Sequence, residues 1–219
     1  MASQAEDILV GDLVAEFLQQ IGVTSTFGVI SIHNIPMLDA IGRRNAIRFV
    51  MARGEAGGGH MADAYARVSG ELGVLFTSTG PGAANAAGAL VEARFAGTPM
   101  LHLTGQTATP NMDLGQGAVH DVPDQLGMLK SVSKTAFRVR SAASALGTLV
   151  KAATAAMTPP MGPVSVEIPI DIQRTKIQRP AELTTLCLAT PIANPGDVET
   201  LNEIASRLKV AKRPLLWVG

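Results

Sequence analysis

The sequence predicts an α/β fold: a three-layer α/β/α domain built on a six-stranded, mainly parallel sheet. Three observations carry this. Short apolar runs recur between Thr26 and Ile168 without polar alternation, as in strands covered on both faces. Segments with helical spacing of apolar residues lie between them. The hydrophobic fraction is 47% with only 4% aromatic, so the core must come from Ala, Val, Ile, Leu and Met. Regular alternation of the two patterns implies a doubly wound sheet with helices on both faces.

Residues 7–21 place Val10, Leu13, Val14, Phe17, Leu18 and Ile21 on one helical face, and Gly22 suits a helix C-cap. Strands are expected at 26–29, 47–51, 74–77, 100–104, 135–139 and 164–168, and helices at 34–41, 56–68, 83–95 and 142–157. Residues 105–129 are long, polar and Gly-rich, which suits a functional loop or a short helix within one. Beyond Pro169 the periodicity fades, and Pro180, Pro191 and Pro195 follow. Residues 1–175 are therefore expected as one domain, 176–195 as a linker, and 196–219 as the truncated beginning of a second α/β domain. In that last piece Asp197 caps a helix to about Leu208 and 212–219 form a strand. A lone helix and strand cannot bury enough surface to be a domain.

Lys plus Arg and Asp plus Glu number 18 each, and the basic residues are dispersed, which removes the electrostatic footprint of a nucleic-acid binder. The single cysteine, Cys187, allows no intramolecular disulfide and suits a reducing compartment. The N-terminus has neither a basic region nor a long apolar run, and no stretch reaches the roughly 18 apolar residues needed to span a bilayer. A soluble, cytoplasmic protein without membrane partners is expected.

Among possible sites, Glu55 stands out. It lies between the apolar strand at 47–51 and a Gly/Ala-rich helix, at the strand end where α/β folds bind ligands. That strand is expected to be interior, and the small residues after Glu55 are expected to leave room for a flat ring to approach the backbone. Negative charge at a helix N-terminus is also favoured without any function. The turn Thr77-Ser78-Thr79-Gly80-Pro81-Gly82 joins a strand to an Ala-rich helix and could bring backbone N–H groups to a ligand, or could be a structural tight turn. It lacks the lysine of a P-loop, and no Gly-x-Gly-x-x-Gly stands at a strand–helix junction. The histidines His33, His60, His102 and His120 have no metal-ligand spacing, so no metal site is expected, and no serine stands in a Gly-x-Ser-x-Gly elbow. His60 is expected to pack on its helix and His102 within a strand.

In order, Phe27-Gly28-Val29, Arg53-Gly54-Glu55-Ala56, His60-Met61-Ala62-Asp63-Ala64-Tyr65-Ala66-Arg67, Thr79-Gly80-Pro81-Gly82, Leu103-Thr104-Gly105-Gln106 and Val164-Ser165-Val166-Glu167-Ile168-Pro169 closely resemble thiamine-diphosphate enzymes of the acetolactate synthase type. The resemblance covers roughly residues 5–175, the N-terminal pyrimidine-binding domain of that family.

The resemblance implies a role for each motif. Glu55 would hydrogen-bond N1′ of the cofactor's aminopyrimidine and act as the catalytic acid–base group. Gly28, Val29 and Ile30 would present backbone to the pyrimidine amine, and Thr79, Gly80 and Asn85 would line the cofactor pocket. Gln106 and His120 would face the substrate, a 2-keto acid that is decarboxylated and joined to a second carbonyl compound. The cofactor would be thiamine diphosphate with Mg²⁺, the metal held by a C-terminal domain absent from this chain, so that the chain alone is inactive. The family's cofactor lies between two subunits, which implies a homodimer or higher homo-oligomer.

Two departures fall on the substrate side: Ile30-Ser31 where the family often has Pro-Gly, and Val119-His120-Asp121 where acetolactate synthases usually carry Phe-Gln-Glu. Two other readings compete, a subunit of a split keto-acid decarboxylase and a non-catalytic module retaining the fold.

Overall fold

The structure is a computed structural model and describes residues 7–188 and 196–217. Its centre is a six-stranded sheet in which every pairing is parallel. The first short strand, β1 (Asp7–Leu9), lies outside it, followed by α1 (Val10–Gln20). The sheet takes β2 (Ser25–Gly28), β3 (Arg48–Met51), β4 (Gly73–Thr77), β5 (Met100–Gln106), β6 (Thr135–Arg138) and β7 (Pro163–Pro169) in the order β3-β2-β4-β5-β7-β6. Strands β4, β5 and β7 are buried at every residue, which is why they read as continuous apolar runs.

Two helical layers cover the sheet. On one face lie α1, α2 (Ile35–Arg44) and α7 (Ala145–Met157), and on the other α3 (Glu55–Ser69), α5 (Ala87–Ala96) and α6 (Gln125–Val132). The larger core packs under the first layer around Leu13, Phe17, Ile41, Phe76, Leu101, Leu149 and Val166. A smaller cluster, with Leu75, Leu90, Met100 and Ala62, packs under the second. The three-layer expectation holds.

Several boundaries differ from the sequence-based ones. Residues 7–9 are extended rather than helical, because the Asp12 carboxylate accepts the Leu9 N–H at 3.0 Å and stops the helix there. Asp7–Leu9 instead pairs antiparallel with β8 (Lys176–Gln178), inside the segment expected as linker. Arg179 extends the attachment, its Nε donating to Glu16 Oε1 at 3.0 Å, and Leu183 is fully buried in the larger core. The helix expected at 83–95 is split at Ala86 into α4 (Pro81–Asn85) and α5. The 105–129 segment donates Gln106 to β5, forms a 3₁₀ turn at Thr109–Asn111, and ends in α6, whose N-cap Asp124 accepts from Gly127 N–H at 2.7 Å.

Asp197 caps α8 (Val198–Val210) as expected, accepting from Thr200 N–H at 2.8 Å. Residues 212–217 form no strand, and 189–195 of the expected linker, with 218 and 219, lie outside the described residues.

Strand β3 is an edge strand, not an interior one. Its position fixes where the site lies. From β2 the chain crosses to β3 on one side, and from β4 it crosses to β5 on the other. The crevice at the C-terminal ends of β2 and β4 is thus the switch point at which such sheets bind ligands.

Candidate active site

Gly28 closes β2 at this crevice with φ +151°, and a Cβ there would stand 2.0 Å from the Phe76 carbonyl oxygen of β4. Only glycine lets the two strand ends come this close. The neighbouring polar groups are tied down: Val29 N–H donates to Phe76 O at 3.2 Å, and Ala52 N–H donates to Gly28 O at 2.8 Å. The Val29 carbonyl accepts from Asn34 Nδ2 at 2.9 Å and keeps a second lone pair. Ile30 turns half-exposed toward α2, where it lines a cavity of about 540 Å³ with Leu38, Ile41 and Phe49. That cavity is on the α2 side of the edge strand and does not include Glu55.

Glu55 is the first residue of α3, after the extended N-cap Gly54. Its Oε2 accepts from Asn85 Nδ2 at 3.3 Å. A Cβ at Gly82 would lie 2.7 Å from Glu55 Oε1 and 2.6 Å from Ser78 Cβ, so Gly82 leaves the carboxylate a floor without a side chain. Glu55 is half-buried and Asn85 exposed, above the buried Gly82. Of the small residues following Glu55, Gly57 has nothing within 4 Å, but Gly58 and Gly59 are packed against protein. Gly58 packs on Gly28, where an added Cβ would stand 3.1 Å from Gly28 Cα, and Gly59 packs on Ala89 of α5 at 2.5 Å by the same measure. Protein fills that room.

The turn after β4 is held from beneath by a buried amide network. Thr79, Gln106, Gln125 and Glu167 are all fully buried. Gln125 Oε1 accepts from Gly80 N–H at 2.5 Å and from Thr79 Oγ1 at 2.8 Å, while its Nε2 donates to Glu167 Oε2 at 2.9 Å and to Gly105 O at 3.1 Å. Gln106 Oε1 accepts from Thr79 Oγ1 at 3.1 Å and from Thr107 N–H at 2.7 Å, and its Nε2 donates to Glu167 at 3.3 Å. The Thr79 hydroxyl and the Gln106 amide, residues expected on the cofactor and substrate sides, bond within this network, in which Gln125 holds Gly80. Arg138 closes the network by bridging Glu167 and Asp113. Burial pushes the Glu167 carboxyl up, and its bond to Arg138 opposes that.

Gly80 has φ +54° and lies against the loop, where a Cβ would be 2.1 Å from the His120 carbonyl oxygen. His120 is exposed, with its Nδ1 3.4 Å from Ser78 Oγ. His33, on the β2–α2 turn, is buried with its ring 5.7 Å from that of His120; burial, then the neighbouring His120, pushes its pKa down. His102 is buried within β5 as expected, whereas His60, expected to pack on its helix, is exposed on α3. Among the described residues no group of three His, Cys, Asp or Glu side chains stands together for a metal.

Gln125, Glu167, Arg138, Asn34 and His33 were not anticipated as site residues. Glu167 had a signal: a charge inside the apolar run 164–168 needs a buried partner. Gln125 had none, since its partners come from three separate strand ends.

Residues 8–128 match the family model "Thiamine pyrophosphate enzyme, N-terminal TPP binding domain". The chain belongs to this family of thiamine-diphosphate enzymes, and within it to the acetolactate synthase type. It is 30% identical to the acetolactate synthase large subunit of Lactococcus lactis over 94% of its own length and 36% of the relative's. With that of Haemophilus influenzae it shares 33% identity over 95% of the chain and 36% of the relative. It is also 29% identical to a probable 2-ketoarginine decarboxylase of Pseudomonas aeruginosa, over 95% of the chain and 37% of the relative. The chain thus spans about a third of the length of these relatives.

Proposed function

We propose that this chain supplies the pyrimidine-binding side of the active site of an enzyme that decarboxylates a 2-keto acid and joins the product to a second carbonyl compound. One observation carries the reading: Glu55 stands at the ligand-binding edge of the sheet, bonded to Asn85 over a glycine floor that any Cβ would fill. That cradle fits the edge of a flat heteroaromatic ring. Thiamine diphosphate, when bound, supplies the electron sink for loss of the keto acid's carboxylate. Glu55 would share a proton with the ring nitrogen it faces, and Asn85 would hold the carboxylate in place. Gly28 and Val29 would border the ring on the strand side, with Ile30 at its margin. Gly80, fixed by Thr79, Gln106 and Gln125, would keep the turn rigid beside it.

Diphosphate and Mg²⁺ are assigned to a further domain, so residues 1–219 alone should be inactive. We assign the protein a cytoplasmic setting, on the strength of its lone exposed Cys187 and dispersed charge. We assign it a homodimer or higher homo-oligomer on the exposed apolar residues Met61, Val68, Val91 and Phe95 of α3 and α5. The domain division proposed is a body reaching past residue 175 through β8 to the buried Leu183, then a linker, then the start of a second unit at 196.

A decarboxylase that performs no carboligation is the second reading, favoured by His120-Asp121 at the loop and by the relative named as a probable 2-ketoarginine decarboxylase. The test is turnover of 2-keto acids by the protein in its native assembly with thiamine diphosphate and Mg²⁺. Glu55→Gln should lower it by about two orders of magnitude or more. Wild-type turnover in that variant would refute the role of Glu55, and product analysis separates carboligation from simple decarboxylation.

A further inference from the structure

Beside the Glu55 cradle lies a chain of polar side chains that the reading above does not use. Ser31 Oγ, on the β2–α2 turn, accepts His33 N–H at 3.3 Å and stands 2.6 Å from Ser78 Oγ on the β4 turn. Ser78 Oγ in turn is 3.4 Å from Nδ1 of His120 on the loop. Two hydroxyls and two imidazoles from three separate segments thus meet at this edge. Gly82 joins them to the cradle, since its missing Cβ would touch both Ser78 and Glu55. His33 forms the floor: it is buried, packed ring to ring under His120, and its Nδ1 has no hydrogen-bond partner. A buried polar atom without a partner is costly, so a site that keeps one is short of a polar ligand group.

We propose that the Ser31–Ser78–His120 chain, floored by His33, is a specificity subsite for a 2-keto acid bearing a hydroxyl or similar oxygen on its acyl chain, in preference to one with a plain alkyl chain. The proposal rests on the keto-acid reading of the Glu55 site. The Ser31–Ser78 and Ser78–His120 contacts can run in either direction, because a hydroxyl both donates and accepts. Either way Ser78 holds one ring nitrogen of His120 and leaves Nε2 to donate to, or accept from, a substrate hydroxyl, which can play both parts. His120 is the specificity-determining contact, while Ser78, Ser31 and His33 are positioning residues. A site built to hydrogen-bond a substrate hydroxyl discriminates against the analogue lacking it much more strongly than an apolar pocket discriminates by size.

The test compares kcat/KM for 3-hydroxypyruvate and 2-ketobutyrate, which differ by a hydroxyl in place of a methyl, using the protein in its native assembly with thiamine diphosphate and Mg²⁺. Wild type should favour 3-hydroxypyruvate by about tenfold or more. His120→Leu should bring the ratio to about one, His120→Gln, which returns an N–H donor at similar reach, should recover part of it, and Ser78→Ala should lower it by less than His120→Leu does. His120 is exposed, so these variants are expected to fold. A wild-type ratio near one, or a ratio unmoved by His120→Leu, overturns the subsite while leaving the keto-acid reading in place. Failure of the wild type to turn over any 2-keto acid overturns that reading and the subsite with it.

Discussion

The Glu55 carboxylate rests directly on Gly82: a methyl group at Gly82 would stand 2.7 Å from Oε1. The acid comes from the start of α3 and the glycine from α4, so the contact joins the connections that follow β3 and β4. Gly82→Ala should displace the carboxylate and crowd Ser78, destabilising the fold by about 1–3 kcal/mol. In a double-mutant cycle with Glu55→Ala, part of that cost should vanish, giving a coupling of about 0.5 kcal/mol or more in urea unfolding. Strict additivity would mean the two residues are not in contact.

Gly28 makes a sharper prediction. Any side chain there meets the Phe76 carbonyl at 2.0 Å, and φ is +151°. Gly28→Ala should cost about 3 kcal/mol or more, because backbone on both sides must move. Gly57, which has nothing within 4 Å, is the control, and Gly57→Ala should be neutral or stabilising. Denaturant midpoints of the two variants decide it.

Gln125→Leu should be among the most damaging single changes at the site. It removes the acceptor of Gly80 N–H and Thr79 Oγ1 and one donor to the buried Glu167 carboxylate. Unpartnered buried groups cost about 1–3 kcal/mol each, so a loss of about 3 kcal/mol or more is expected in chemical unfolding. Hydrogen exchange should show the Gly80 amide losing its protection first.

His102 predicts an acid sensitivity. Burial pushes its pKa down from 6.5 to about 3. Thr77 Oγ1 donates to Ser78 O, so it accepts from His102 Nε2–H, and Nδ1 accepts from Ser165 Oγ, which fixes a neutral ring. Below about pH 6.5 the unfolded chain takes up a proton that the folded chain refuses until about pH 3. The stability contributed by the neutral ring is therefore present above that window and lost as pH falls through it, by up to about 1.4 kcal/mol per pH unit. His102→Asn should flatten the fall in denaturant midpoint between about pH 7 and about pH 5.

The exposed residues on α3 and α5 predict self-association. Val68 and Phe95 are 90% and 93% exposed, with Met61 and Val91 on the same helices at 43% and 50%. Sedimentation should show dimers or larger species, and Phe95→Glu with Val91→Glu should shift them toward monomer. A strict monomer at high concentration for the wild type would remove this face from the proposed interface.

The sequence alone determined the layers and the six strands of the central sheet, because short apolar runs alternating with amphipathic helices mark parallel strands buried on both faces. It also singled out Glu55, an acid at the end of an apolar run, and the glycine turn at 80–82. Only the tertiary structure decided that β3 is an edge strand, that β1 pairs with β8, and that Thr79 and Gln106 face inward to Gln125 and Glu167. Likewise Gly58 and Gly59 after Glu55 serve helix packing, and the Ser31–Ser78–His120 chain exists only where three turns meet. The physical reason is common to all of these. A residue's burial period is written locally along the chain, whereas its hydrogen-bond partner is set by which distant strand end the crossover connections bring beside it.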